Sequence, residues 1–428
     1  MGGFFQKTLL HVLALSIGTL SVGFGLSYYG ASVATCLEGF NLNTKFKKSI
    51  FNALCTICAA ITSSFVNFAI QKYGRKKPAM LASGIVAFGY ILIICTKTSY
   101  NFLAYIGRAI TGFGCGAIST INPVYIAEIS PTEVRGSYGV MSQLFTAFGG
   151  TLIYLMGIWL HWRAIAIVAI IPPAINIIAL FFFPESPAFN RMDDTVKKNQ
   201  VNLFQMKYMK AWIISLLVVI FQQFSGINAL QTNLNVIFGT SSIDLDPAIA
   251  SVIVSFSKVI TTACSTPLVE KFGRKFTWWI SSIGQGIFLL VLWANEKWHF
   301  SSIVPVVFLF LDLLFFGIGL GPIPWFIIPE LFPDEVRGLA MGSLQTINWG
   351  LAAVNVFIFP IMQESMTLAW IYFFYGAIMI ASFFYGVFFL PETRNTEMGQ
   401  MIKEDEEKKK KSELYDSDES SEERLAYI

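Results

Sequence analysis

Three short motifs occur twice in the same order. Tyr73-Gly74-Arg75-Lys76 returns as Phe272-Gly273-Arg274-Lys275, 199 residues on. Glu128-Ile-Ser-Pro-Thr-Glu-Val-Arg135-Gly136 returns as Glu330-Leu-Phe-Pro-Asp-Glu-Val-Arg337-Gly338, 202 residues on. Pro184-Glu185-Ser186 returns as Pro391-Glu392-Thr393, 207 residues on. Matches at nearly one offset mark a parallel internal repeat, which limits the fold to two like halves.

Between the motifs lie apolar runs long enough to cross a bilayer, a length of about 20 residues. Twelve such spans lie at about 8–29, 49–70, 78–96, 100–122, 137–160, 163–183, 211–238, 247–269, 276–296, 302–328, 338–361 and 367–390. Each motif follows an even-numbered span, so the repeat is six plus six. Composition agrees: 54% of residues are hydrophobic and 13% charged, against about 25% charged in soluble domains. This speaks against a water-soluble enzyme and leaves no basic surface for nucleic acid. The expected fold is all-α, with an N-terminal half over 1–183, a short linker over 184–210, a C-terminal half over 211–390 and a tail over 391–428. Within the linker, 191–210 leaves room for one amphipathic helix with Met192, Val196, Leu203 and Met206 as its apolar positions.

Lys and Arg counts set the orientation. The N-terminus and even-numbered loops hold fifteen, and the odd-numbered loops hold six, namely Lys45, Lys47, Lys48, Lys97, Arg163 and Lys297. Both termini are therefore expected in the cytoplasm. The first span lacks a small-residue cleavage site and reads as retained, not as a signal. Cys55 and Cys58 have CxxC spacing inside an apolar run without a second ligand pair, so they read as packing; no metal site and no cofactor are expected. Beyond about 403 the chain mixes acid and base blocks that cannot bury a core, so disorder is expected there.

Parallel six-helix halves suit a transporter whose substrate site lies at mid-depth between them. The repeated charges sit at cytoplasmic helix ends. Arg75 can reach Glu128 and Glu185, and Arg274 can reach Glu330 and Glu392, with Arg135 and Arg337 seven residues past Glu128 and Glu330. One reading is an ion-pair gate that opens in transport; the other is positive-inside charge with helix caps. Span 7 carries Gln222, Gln223 and Asn228. Neutral amides donate and accept at once, which suits sugar hydroxyls, and they avoid the desolvation cost of a charge. Gln222 and Asn228 fall on different faces of a regular helix, and a break at Gly226 would bring them together. Span 10 contains Gly319-Leu-Gly321-Pro322-Ile-Pro324-Trp325, a weakened helix with an aromatic platform beside it. Gln143 in span 5 and Asn348 in span 11 add neutral polar groups.

Together these residues resemble the sugar porter family of the major facilitator superfamily, over essentially 1–402. The match is strongest at Pro123-Val-Tyr-Ile-Ala-Glu128, Gln222-Gln223-Phe-Ser-Gly-Ile-Asn228, Gly321-Pro-Ile-Pro-Trp325 and Pro391-Glu-Thr-Arg394. The resemblance implies the major facilitator fold and alternating-access transport of a hexose or related sugar, with sugar contacts at Gln143, Gln222, Gln223, Asn228, Trp325 and Asn348. It implies a multi-pass protein of the plasma membrane whose partners are a small sugar and lipid, with no nucleic acid and no obligate protein partner.

The departures concern charge. Where the family places a sugar-contacting amide in span 8, this chain has Lys258. A mid-span lysine needs a partner or water, and Asp312 is the acid expected to pair with it; the other reading is that Lys258 faces the cavity unpaired. Proton-coupled relatives place an Asp in span 1 opposite the span-4 arginine. Here Arg108 is kept and Gly25 stands at that position, so uniport is expected, with proton symport through Asp312 as the alternative. A non-transporting sensor and an exporter of organic anions or drugs are the remaining classes.

Overall fold

The computed structural model describes residues 2–36, 40, 42, 44–131, 134–190, 203, 205–241, 243–394 and 399–402, without the side chains of 2–5, 98, 135–137, 188, 190 and 334. It contains twelve helical segments long and apolar enough to cross a membrane. Spans 1 to 5 are Gly2–Cys36, Lys45–Tyr73, Lys76–Ile94, Phe102–Ile129 and Arg135–Gly157. Span 6 is in two pieces, Trp162–Val168 and Ile171–Phe182. Span 7 is in three, Met206–Gln223, Ile227–Thr232 and Leu234–Thr240. Spans 8 and 9 are Pro247–Phe272 and Arg274–Trp298, and span 10 is in two pieces, Val304–Ile318 and Ile323–Leu331. Spans 11 and 12 are Asp334–Ser365 and Leu368–Phe388.

The packing repeats with the sequence. Span 4 packs on spans 2 and 3, and span 10 packs on spans 8 and 9. Span 1 lies on span 5, and span 7 lies on span 11. Across the halves, span 2 meets span 11 and span 5 meets span 8. Exchanging each span for the one six later turns one contact into the other, as a pseudo-two-fold axis between the halves requires. Within the N-terminal half the helices come close because Gly112 and Gly116 lie against the span-2 backbone: a Cβ there would meet Cys55 O at 2.4 Å and Ala59 O at 2.5 Å.

The expected linker helix is not supported where it can be seen. Residues 191–202 lie outside the described residues, as does the tail from 403. Leu203 is buried, but Met206 is 87% exposed and opens span 7, five residues before the apolar run begins. Lys207 and Lys210 lie exposed on that helix, where a long apolar stem can run along the helix end while the charge stays at the polar surface.

Candidate functional site

The three motifs of each half converge at one end of the helices, here called the motif side. Span 2 stops at Tyr73 and the chain turns on Gly74, with φ of 84°. A Cβ at Gly74 would lie 2.4 Å from Glu185 Oε2, so only glycine fits. The turn aims the first main-chain N–H groups of span 3 at Glu185, which accepts from Arg75 N at 2.8 Å and Lys76 N at 3.1 Å. A carboxylate there satisfies orphan donors and meets the positive end of the helix dipole. The Arg75 guanidinium takes Glu128 instead, with Nε–Oε2 at 2.9 Å and Nη2–Oε1 at 2.7 Å. The Ser186 hydroxyl also donates to Glu128.

The second copy repeats this arrangement. Gly273 has φ of 87°, and Glu392 accepts from Arg274 N and Lys275 N, both at 3.0 Å. Arg274 Nη2 lies 2.5 Å from Glu330 Oε1, and the Thr393 hydroxyl donates to Glu330 Oε2 at 2.5 Å. One expectation changes. Glu185 and Glu392 hold helix ends, as the capping reading has it, and not guanidinium groups, because the Gly turn presents main-chain N–H groups to them. Each of these bonds stays inside one half, as the pairings expected from sequence do. Arg337 donates from Nε to the carbonyls of Pro329 at 3.0 Å and Phe332 at 3.3 Å, at the end of span 10. The Arg135 side chain lies outside the described residues.

At mid-depth the amides of spans 7 and 11 form a chain. The first piece of span 7 ends at Gln223, Gly226 adopts φ of 81°, and the helix restarts at Ile227. The break folds Asn228 back so that its Nδ2 donates to Gln223 Oε1 at 2.7 Å. Gln223 Nε2 in turn donates to Asn348 Oδ1 at 2.6 Å. Gln222 points away from them and donates from Nε2 to the carbonyls of Leu320 at 3.0 Å and Gly321 at 2.9 Å. Those carbonyls are free of helical partners because span 10 breaks between Ile318 and Ile323. Gly226 thus brings Asn228 to Gln223, not to Gln222, and Gln222 couples the break in span 7 to the break in span 10. Trp325 follows that break and is half-buried. Gln143 is exposed, two helical turns from Gly150 on the same stripe of span 5. A Cβ at Gly150 would lie 3.1 Å from Ser27 Oγ of span 1 and 3.3 Å from Gln231 Nε2 of span 7, so at that turn the stripe lies where span 1 and the other half meet.

The intramembrane charges are placed as follows. Arg108 is fully buried, donates from Nη1 to the carbonyl of Gly25, and lies over the rings of Phe51 and Tyr28. The expected Lys258–Asp312 pair does not form. Lys258 Nζ donates to Gln231 Oε1 at 2.9 Å and lies 5.8 Å from the Phe316 ring centroid. Asp312 is fully buried and its Oδ1 accepts from Gln285 Nε2 of span 9 at 3.2 Å. The two residues sit on faces of spans 8 and 10 that see different neighbours, so the acid deep in span 10 does not meet the mid-span lysine of span 8.

Several residues here were not singled out from sequence. Gln231 and Gln285 are the actual partners of Lys258 and Asp312. Ser186 and Thr393 complete the ion pairs. A hydroxyl following the repeated Pro-Glu in both copies was a legible signal for them. On the side opposite the motifs, Tyr154 donates to Gln231 O at 2.5 Å and Asn235 Nδ2 to Gly30 O at 2.8 Å, closing spans 5 and 1 against span 7. Among the described residues no hydrogen bond joins span 4 to span 10 on the motif side.

Two pseudo-symmetric six-helix halves with discontinuous helices at their junction define a secondary transporter of the major facilitator type. A family model described as "Sugar (and other) transporter" matches residues 24–200 and 190–403. The chain is 30% identical to sugar transporter ERD6-like 6 of Arabidopsis thaliana, over 91% of this chain and 88% of that one. It is 28% identical to the glucose transporter GlcP of Staphylococcus epidermidis, over 92% and 96% of the two chains. Its fold resembles that of a D-xylose–proton symporter with a TM-score of 0.78 at 22% identity, covering 91% of this chain and 99% of that one. An inward-open structure of the Escherichia coli xylose transporter XylE gives 0.79 at 21% identity, covering 93% and 99%. The chain belongs to the sugar porter family of the major facilitator superfamily, and it is an integral, multi-pass membrane protein.

Proposed function

We propose that this protein carries a monosaccharide, a hexose or close relative of one, across the plasma membrane by alternating access, as a uniporter with both termini in the cytoplasm. The observation that carries the reading is the Asn228–Gln223–Asn348 amide chain at the break in span 7. Each amide keeps further donor and acceptor capacity for hydroxyl groups, and Gln143 faces the same junction from the other half. Trp325 offers an apolar face for a sugar ring. Gln222 ties the first half of span 7 to the break in span 10, so that closure around a substrate moves both helices. The Arg75 and Arg274 clusters hold the motif-side ends of each half together as rigid units, and the gate is the gap between those units. The names of the relatives support sugar as the substrate class.

The surroundings of Arg108 support the uniport reading. Its guanidinium rests on a main-chain carbonyl and two aromatic faces, with no carboxylate among the described residues that protonation could release. Counterflow of labelled glucose in proteoliposomes tests both parts. Exchange without a pH gradient is expected, and uptake that collapses when a proton gradient is dissipated at fixed sugar gradient refutes uniport. One observation favours the alternative of proton symport: Asp312 Oδ2 is buried with no hydrogen-bond partner among the described residues. Under symport, Asp312→Asn retains counterflow and loses gradient-driven accumulation.

A further inference from the structure

The amide site accounts for hydroxyl groups but leaves a charge unexplained. Lys258 has a single hydrogen-bond partner, the neutral oxygen of Gln231. An ammonium carries three donors, so two remain without partners among the described residues. No acid meets it: Asp312 lies one helical turn before Phe316, which Lys258 touches, but its carboxyl turns to Gln285. Both contacts of Lys258 are close to the amide chain. Gln231 follows Asn228 by three residues, and Phe316 O accepts from Gly321 N at 2.8 Å, at the break that Gln222 grips. Positioning Gln231 does not require a charge, because its main chain is already fixed by Tyr154 and a neutral amide donor at 258 would serve its side chain equally.

We propose that Lys258 recognises a negative charge on the substrate, so that the monosaccharide taken by this site carries one carboxylate, as a hexuronate or an aldonate does. This rests on the monosaccharide reading of the amide site. A half-buried cation in a membrane span is costly unless an anion meets it, and here the substrate supplies that anion. One ammonium balances one carboxylate. A phosphate dianion would retain a net negative charge, and among the described residues no arginine fork lies beside Lys258 to hold it.

The test uses the purified full chain in proteoliposomes, with labelled D-glucuronate, D-glucose and glucose 6-phosphate in counterflow, and with Lys258→Gln and Lys258→Asn beside the unaltered protein. Glucuronate is expected to exchange with a lower KM than glucose. Both variants should raise the glucuronate KM by about tenfold or more, the scale of one charge-assisted hydrogen bond, and should raise the ratio of the glucuronate KM to the glucose KM by at least that factor, since an amide at 258 can still meet a neutral sugar. Thermal unfolding of each variant in detergent reports whether it is folded. Unlabelled glucuronate should also compete with glucose in the unaltered protein, which needs no variant. Exchange of glucose without glucuronate overturns the inference and leaves the monosaccharide reading standing. A preference for glucose 6-phosphate, or glucuronate exchange indifferent to Lys258, overturns it as well. Exchange of none of the three overturns both readings.

Discussion

The two ion-pair clusters are copies of one design in slightly different surroundings, and this allows a quantitative test within one molecule. In the N-terminal copy the Arg75 and Glu128 side chains are 6% and 17% exposed, and two guanidinium bonds to Glu128 are 2.9 Å or shorter. In the C-terminal copy Arg274 and Glu330 are 12% and 19% exposed, and the second bond lengthens to 3.2 Å. Glu128→Gln keeps the shape, removes the charge and turns an NH2 donor toward the guanidinium. Breaking one side of a buried pair costs about 3–5 kcal/mol. Residual water access to Glu128 puts this site at the lower end, about 3 kcal/mol, or roughly 150-fold in the unfolding equilibrium. Glu330→Gln, with the looser fork and wetter surroundings, should cost about 2 kcal/mol.

The assay is reversible unfolding in mixed micelles at graded denaturing detergent, closed as a double-mutant cycle with Arg75→Gln and with Arg274→Gln. A coupling energy of about 2 kcal/mol is expected for the first pair and about 1 kcal/mol for the second. The two cycles should also add, since each cluster lies in its own half. Stability within about 0.5 kcal/mol of the unaltered protein for Glu128→Gln, a scale typical of surface substitutions, refutes the burial reasoning. So does a larger cost at Glu330, or strong coupling between the clusters.

Further outcomes follow from the same geometry. Gln223→Ala leaves Asn228 and Asn348 without their common partner, and it should raise the counterflow KM by about tenfold, one lost hydrogen bond to each side, with little change in expression. If the motif clusters keep each half rigid, Glu128→Gln shifts the protein toward its motif-side-open state. Labelling of a cysteine at Ser64, whose hydroxyl meets Thr346 across the halves at 3.3 Å, should then speed up; an unchanged rate counts against the gate. Gly226→Ala forces a side chain into φ of 81° and within 2.8 Å of the Tyr375 ring, and should abolish exchange while the folded protein survives detergent extraction.

How far the sequence reached can be judged from single residues. The spans and the repeat were legible because apolar length and motif offset are properties of the chain alone. Glu185 was legible as a member of the charged cluster, with capping as one of two readings, but not as the member that caps while Glu128 takes the guanidinium. That role depends on the direction Gly74 gives the following N–H groups, a backbone angle no residue type announces by itself. Arg108 and Gly25 were paired correctly as positions, yet the sequence could not show that the Gly25 carbonyl takes the place of a carboxylate. Lys258 and Asp312 failed as a pair for a related reason. Both are charged residues in one half, and charge alone said they should meet; which face of spans 8 and 10 each occupies was decided by packing against Gln231 and Gln285.

The failed pair bears directly on function. In a sugar porter that neutralises its charges internally, a mid-span lysine and a mid-span acid would be a structural couple of no interest to the substrate. Here each charge is instead met by a single glutamine. The carboxyl at 312 sits fully buried inside the C-terminal half, where exchange with the cavity is closed off. The ammonium at 258 is half-buried, with two donors free among the described residues, and its partner Gln231 lies one helical turn from Asn228 of the amide chain. The same arrangement that weakens the case for coupling through Asp312 strengthens the case for recognition through Lys258, because a cation with no counter-ion among the described residues beside a substrate site is balanced by what enters it.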